Sequence, residues 1–256
     1  MGSGAVFPRP LLEALQDAAR LVVFTGAGVS AESGIQTFRG GCSRRARYDP
    51  MVLATPEAFL AAPDLVWGWY EWRRGQILQA CPNPAHLAIA CMGRQFSQVT
   101  LVTQNVDDLH ERAGSPEVLH LHGSLHQPRC SRCNQPFMAL PPPVAGSVPE
   151  ERQTPPLCPH CGGLVRPGVV WFGETLPGRV LDAALTAAST CDVLLSVGTS
   201  GAVYPAAHIP EQALEAGATV IHVNPVARPV RSGNEFSLEG PAGELLPALL
   251  EQLAMH

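Results

Sequence analysis

The sequence predicts an α/β protein whose mainly parallel sheet is covered on both faces, with a smaller second lobe inserted. Two observations carry this. Strand-like apolar runs alternate with helical patterns along most of the chain, the arrangement that builds parallel sheets. Two stretches, 40–83 and 130–163, break the alternation and carry their own patterns. The 256 residues suffice for one large domain with insertions, and 46% hydrophobic content supports a sizeable core.

In chain order, Leu11–Arg20 reads as a helix and Leu21–Thr25 as a buried strand. Gly26-Ala27-Gly28 follows at once, and Ser30-Ala31-Glu32-Ser33 can open a helix. Glycines between a strand and a helix N-terminus form a phosphate cradle, because no side chain blocks the anion's approach to the backbone N–H groups. An ordinary strand-to-helix turn accounts for the same residues. Residues 40–83 carry an arginine-rich loop and a helix over Asp64–Leu78, with Asp64 as its N-cap. Ala85–Phe96, Arg179–Ser189, Ala206–Glu215 and Glu244–Leu253 read as helices, and Val99–Thr103, Val118–His120, Val193–Val197 and Val220–Asn224 as strands.

Charge and cysteine usage narrow the function classes. Seventeen basic against 22 acidic residues give a formal net charge of −5, which weighs against a nucleic-acid scaffold held mainly by phosphate contacts. Every basic residue is arginine, so no lysine side chain is available for acylation. No apolar run is long enough to span a bilayer, and the N-terminus lacks a signal pattern. A cytoplasmic location is the expectation. Cys130-x-x-Cys133 and Cys158-x-x-Cys161, 24 residues apart, match the paired turns of a tetrahedral zinc site. Four protein ligands leave no open position, so the metal is expected to be structural. His160 reads as exposed, and Cys42, Cys81, Cys91 and Cys191 as ordinary thiols.

Polar residues crowd the ends of the expected strands, where parallel sheets bind ligands. Gln104-Asn105-Val106-Asp107 follows Thr103, and His122-Gly123 follows the next strand, where a histidine can serve as general base. Gly198-Thr199-Ser200 and Asn224 end two more and could bind ribose; structural turns explain each equally well.

Taken together, these motifs resemble the sirtuins, NAD-dependent protein deacylases, from about Leu21 to about Leu250. The residues that carry the resemblance are Gly26–Ser30 through Phe38-Arg39-Gly40, Thr103–Asp107, His122-Gly123, the two cysteine pairs, Val170-Trp171-Phe172-Gly173-Glu174 and Gly198-Thr199-Ser200. The resemblance implies a Rossmann-like NAD-binding domain formed by residues 1–40, 84–123 and 164–256. It implies a helical insertion over 41–83 that holds a cofactor loop and acyl pocket, and a module over 124–163 that holds one structural zinc ion. Gly26, Ala27, Gly28, Ser30, Phe38, Arg39, Gln104, Asn105, Val106, Asp107, Gly198, Thr199, Ser200, Asn224 and Ala242 would then face NAD. The acyl-lysine substrate would lie between the lobes, its backbone held by strand-like pairing with Val170–Glu174.

The implied reaction breaks the bond from nicotinamide to ribose beside Asn105 and Asp107. The acyl oxygen attacks the ribose carbon, and His122 acts as general base on a ribose hydroxyl. Water completes the acyl transfer and frees the lysine, and nicotinamide and acylated ADP-ribose leave as products. Tyr70 and Arg73, one helical turn apart, follow a Leu53-Ala54-Thr55-Pro56 segment. This resembles the branch that removes acidic acyl groups, where Tyr and Arg hold the acyl carboxylate and Ala leaves it room. Core packing and solvent exposure also explain Tyr70 and Arg73. Three features depart from the family pattern. Gly41–Tyr48 lacks an aromatic pair, Gln36 stands where proline is common, and Gly168 stands where this branch often has histidine. Arg44, Arg45 and Arg47 form a basic loop that could reach the pyrophosphate or remain solvated. Two other functions fit parts of the pattern: a mono-ADP-ribosyltransferase using the same cofactor, and a non-catalytic zinc-ribbon binding module.

Overall fold

A computed structural model describes residues 6–37, 50–144 and 146–255. Phe38, Arg39 and the arginine-rich loop lie outside the described residues. Chain order runs α1 (Arg9–Asp17), β1 (Arg20–Thr25), α2 (Ala27–Ala31), α3 (Pro50–Leu53), α4 (Pro56–Ala61), α5 (Pro63–Gln79), α6 (Pro84–Gln95) and β2 (Gln98–Thr103). Then come α7 (Leu109–Arg112), β3 (Val118–His120), β4 (Arg129–Cys130), β5 (Val165–Arg166), α8 (Gly178–Thr190) and β6 (Val193–Val197). The chain ends with α9 (His208–Glu215), β7 (Thr219–Asn224), β8 (Glu235–Glu239) and α10 (Ala242–Ala254).

Six strands form one parallel sheet in the order β3-β2-β1-β6-β7-β8. Alternation along β1 explains the two covered faces. Leu21 and Val23 join α1, α6 and α10 in one apolar core, while Val22 and Phe24 join α8 and α9 in another. Strand order reverses direction between β1 and β6, so a crevice opens at their C-terminal ends, the place where such sheets bind ligands.

A third core gathers Leu53, Ala54, Phe59, Leu65, Val66, Trp69, Tyr70 and Ile77 with Leu125, Val169 and Trp171. This is the core of the small lobe, formed by the first insertion together with Leu125 and the segment after β5. The proline-rich stretch over 140–156 lies against α5: Arg152 pairs with Asp64 at 2.8 Å, and Arg74, paired with Glu71 in the interior, donates to the Pro141 carbonyl. Gly68 is bare because the Glu151 carbonyl passes 2.0 Å from where its Cβ would sit.

Several sequence expectations change. Helix α1 stops at Asp17, because Arg20 already pairs with Gln98 in the sheet. Helix α2 opens at Gly26 and spans only five residues, so Ser30 sits inside it rather than at its start. The N-cap of α5 is Ala62; Asp64 lies in the first turn, where its charge favours the helix dipole. Strand β5, the partner of β4, lies beyond residue 163. Strand β8 was not expected, although Glu235-Phe236-Ser237-Leu238-Glu239 alternates polar and apolar residues as a half-buried edge strand does.

Candidate active site

The glycines at the end of β1 are explained first by the neighbouring chain. A Cβ on Gly28 would sit 2.7 Å from the Gly198 Cα, and one on Gly198, whose φ is +63°, would lie 2.3 Å from the Val29 nitrogen. Gly26, Gly28 and Gly198 therefore interlock two loops backbone to backbone. The Gly28 N–H donates to the Gly198 carbonyl at 2.9 Å and is not a free phosphate donor. The close approach opens one wall of a cavity of about 430 Å³.

That cavity gathers most of the expected residues. Its lining includes Gly26, Ala27, Gly28, Ser30, Gln104, Asn105, Val106, Asp107, His122, Gly198, Thr199, Ser200 and Asn224, from the ends of β1, β2, β3, β6 and β7. Across it stand Ala54, Tyr70, Arg73, Val170, Phe172, Gly173 and Glu174 from the small lobe and its junction. Ala242 lies elsewhere, buried as the first residue of α10 in the core beside β7.

Ser30 is the hub of the floor. Its hydroxyl donates to Asp107 Oδ2 at 3.0 Å and accepts from Asn105 Nδ2 at 3.0 Å. His86 Nε2 approaches it at 3.5 Å. His86 Nδ1 accepts from the Asn83 backbone N–H in a capping box at the start of α6, so Nε2 carries the proton and donates to Ser30. Burial pushes His86 down to about 4 and keeps it neutral. His110, also buried, is pushed down to about 3 and meets Thr25 at 2.9 Å. Asp107 is held above the usual carboxylate range by burial, against the bonds it accepts from Leu109 N–H and Ser30. Asn83, His86, Thr25 and His110 were missed in the sequence. The Asn83-Pro84-x-His86 spacing was the signal available for two of them.

His122 lines the cavity at the end of β3. Its Nδ1 lies 2.9 Å from the Gln104 carbonyl, which only accepts. Nδ1 therefore carries the proton and Nε2 keeps its lone pair. Burial lowers the His122 pKa, and the bond to Gln104 offsets this only in part, so the ring is neutral at pH 7. His120 has the opposite character. Burial opposes its charge, but Glu111 at 2.7 Å and the Asn105 carbonyl raise its pKa overall.

The segment after β5 ties the two walls together. Val170 N–H donates to the His122 carbonyl at 2.8 Å, and Phe172 N–H to the Ala54 carbonyl at 2.9 Å. Gly173, at φ +87°, makes the turn that lets Glu174 N–H reach the Trp171 carbonyl. The stretch is thus an extended bridge followed by a turn, not a continuous strand. The Glu174 carboxylate grips Arg166 at 2.5 and 2.9 Å and accepts from Trp171 N–H. Its first role here is structural. Gly168 is required by space: a Cβ there would lie 1.8 Å from the Gln127 carbonyl oxygen.

The four cysteines converge as expected. Their Sγ atoms lie within 4.8 Å of one another, with Cys130–Cys161 at 3.5 Å and Cys133–Cys158 at 3.7 Å. Ligands about 2.3 Å from a tetrahedral zinc ion stand about 3.8 Å apart, so the set fits the metal. His160 is exposed. Replacing Cys158 by serine is expected to cost at least ~2 kcal/mol, a Tm drop of roughly 4–8 °C. Elemental analysis should find one zinc per wild-type chain and less in the variant; an unchanged Tm with zinc absent from both would contradict the assignment.

The Sir2 family profile matches residues 26–205. The chain belongs to the Sir2 family. Among its relatives, NAD-dependent protein deacylase 1 of Pseudomonas aeruginosa is 60% identical over 248 residues, covering 95% of this chain and 98% of that protein. The NAD-dependent protein deacylase of Methylococcus capsulatus is 52% identical over 253 residues, covering 96% and 97%. Among solved structures, a Sir2 homolog–NAD complex superposes with a TM-score of 0.87 at 44% identity, covering 100% of this chain and 97% of that one. A Sir2 protein bound to acetylated peptide gives 0.82 at 28% identity, covering 98% and 100%. In this Sir2 chain the crevice between β1 and β6 fits a dinucleotide. The Asn224 side-chain nitrogen is buried in the cavity wall without a hydrogen-bond partner, as expected of a group that waits for a ligand oxygen.

Proposed function

We infer that this chain is an NAD-dependent protein deacylase acting on acyl-lysine, and we propose that it removes succinyl and malonyl groups alongside acetyl. The observation that carries the reading is the single cavity that gathers a neutral His122, the Ser30–Asn105–Asp107 cluster, and Tyr70 with Arg73. Arg73 is the one arginine among the described lining residues, and a planar guanidinium suits a carboxylate. Burial lowers its pKa, and the negative charge of Asp107 is among the groups that favour its cation.

The proposed roles are these. Asp107 and Asn105, braced through Ser30 and His86, would hold the nicotinamide end of NAD. Thr199, Ser200 and Asn224 would hold the adenosine side; Phe38 and Arg39 are proposed to face the cofactor, Arg39 at its phosphates. Bound NAD supplies the ribose carbon that receives the acyl oxygen when nicotinamide leaves. His122 Nε2 takes the proton from a ribose hydroxyl, while the Gln104 carbonyl keeps its Nδ1 proton in place. Ala54, Val170 and Phe172 would border the acyl-lysine.

This reading keeps a Rossmann-like domain from 1–40, 84–123 and 164–256, a helical insertion over 41–83 and a zinc module over 124–163. The two sheet-facing cores support the first unit, and the third core gathers residues of the insertion over 41–83 with Leu125, Val169 and Trp171. The proposed location is the cytoplasm, supported by a cysteine set that fits a metal. Among the described residues no helix is long and apolar enough to cross a membrane. No direct nucleic-acid binding is proposed, in keeping with the −5 charge.

Following NAD labelled in its ADP-ribose part tests the reaction. Label recovered as acyl-ADP-ribose, with nicotinamide in equal amount, is the expected result. Label retained on protein would instead assign ADP-ribosyl transfer.

A further inference from the structure

Tyr70 is buried in the small-lobe core, yet it lines the same cavity as Arg73 and His122. That hydroxyl sits 3.0 Å from Trp171 Nε1. An indole N–H can only donate, so the Tyr70 oxygen is the acceptor in this bond. The phenol's own hydrogen must therefore point to a different partner. Desolvation by burial raises the Tyr70 pKa well above 10, so the hydroxyl keeps that hydrogen at every working pH.

Trp171 is itself held from several sides. The Arg166 guanidinium carbon lies 3.5 Å from the centre of the indole ring. Arg166 is fixed there by both oxygens of Glu174 and by the Val169 carbonyl at 3.0 Å. The Phe59 ring packs 5.3 Å from Trp171, and the Trp171 backbone N–H donates to Glu174 at 2.8 Å. The indole N–H thus has a fixed direction, and it ends on Tyr70.

We propose that Trp171 is a positioning residue for acyl-chain selectivity, its indole N–H occupying the acceptor side of the Tyr70 hydroxyl so that the O–H points into the cavity toward an acyl carboxylate. The inference rests on the acidic-acyl reading above and deepens it. Arg73 supplies charge, and Tyr70 supplies one directed hydrogen bond. Trp171 itself lines the cavity between Val170 and Phe172, so the test must separate the indole N–H from the ring that carries it.

The test is the exchange Trp171→Phe, measured with succinyl-lysine and acetyl-lysine peptides at saturating NAD. Loss of one directed neutral hydrogen bond is expected to raise KM for the succinyl peptide roughly three- to tenfold. The acetyl peptide has no carboxylate to accept from Tyr70, so its KM should rise less, and the succinyl-to-acetyl KM ratio should increase roughly threefold or more. Because Trp171 acts through the Tyr70 hydroxyl, adding Trp171→Phe to Tyr70→Phe should raise the succinyl KM no further, whereas a packing role would add to it. If Trp171→Phe lowers Tm, β-(3-benzothienyl)alanine at position 171 keeps the ring shape without the N–H and should give the same succinyl-specific rise. Equal changes on both peptides, or an additive double variant, would overturn the proposal. Arg73→Met separates this from the parent reading. If Arg73→Met loses desuccinylation while the Trp171 variants do not, only the positioning role fails. If wild-type protein never hydrolyses succinyl-lysine, the acidic-acyl reading fails.

Discussion

Replacing His122 by alanine is expected to lower kcat on any acyl-lysine peptide by about 100- to 10,000-fold, the usual contribution of a positioned general base. The reason is geometric. The Gln104 carbonyl fixes the Nδ1 proton, so Nε2 is the sole basic atom the ring can offer. The variant should keep its Tm within a few degrees, because His122 side-chain contacts hold no core element together. A second consequence concerns pH. Burial places the His122 pKa below its ordinary value of 6.5. The active, neutral form therefore persists as pH falls below 6.5, and kcat declines only as pH drops through the lowered pKa. A pH–kcat profile with its acidic limb above pH 6.5 would contradict the environment described for this ring. Retention of wild-type kcat in His122→Ala would remove it from the reaction.

Arg73→Met should separate the acyl groups. A charge-assisted hydrogen bond to a carboxylate is worth about 1.5–3 kcal/mol, which converts to roughly 10- to 150-fold in kcat/KM for desuccinylation. Deacetylation has no carboxylate to lose and should change by no more than about threefold. The guanidinium stands 5.2 Å from the Trp69 ring centre, and methionine preserves much of that apolar contact. Equal losses on succinyl- and acetyl-lysine peptides would mean that Arg73 serves the fold or the cofactor instead of the acyl group.

Much of this arrangement was legible in the residues themselves. Apolar strand runs and helical periodicity marked five of the six sheet strands, because buried parallel strands carry an unbroken apolar signal. Strand β8 escaped because it lies at the sheet edge and only Phe236 and Leu238 face the core. The paired cysteines announced their site through spacing alone. The glycines at 26 and 28 were read as making room for a ligand, whereas their tightest neighbour is the backbone of Gly198. That requirement arises between segments some 170 residues apart, so no local pattern records it. The same limit hid His86, His110 and the Trp171–Tyr70 bond, each of which gains its role from a distant partner. Ala242 was assigned to the cofactor; its side chain packs in the core as the first residue of α10, and an alanine carries little local signal of its role.

The most direct measurement is the NAD-dependent turnover of matched acetyl-, malonyl-, succinyl- and long-chain acyl-lysine peptides by the wild-type protein, with nicotinamide and acyl-ADP-ribose quantified together. The expected result is turnover only with NAD, one nicotinamide per deacylated lysine, and succinyl or malonyl peptides processed at least as efficiently as acetyl. Turnover without NAD, or turnover confined to acetyl and long-chain acyl peptides, would contradict the account.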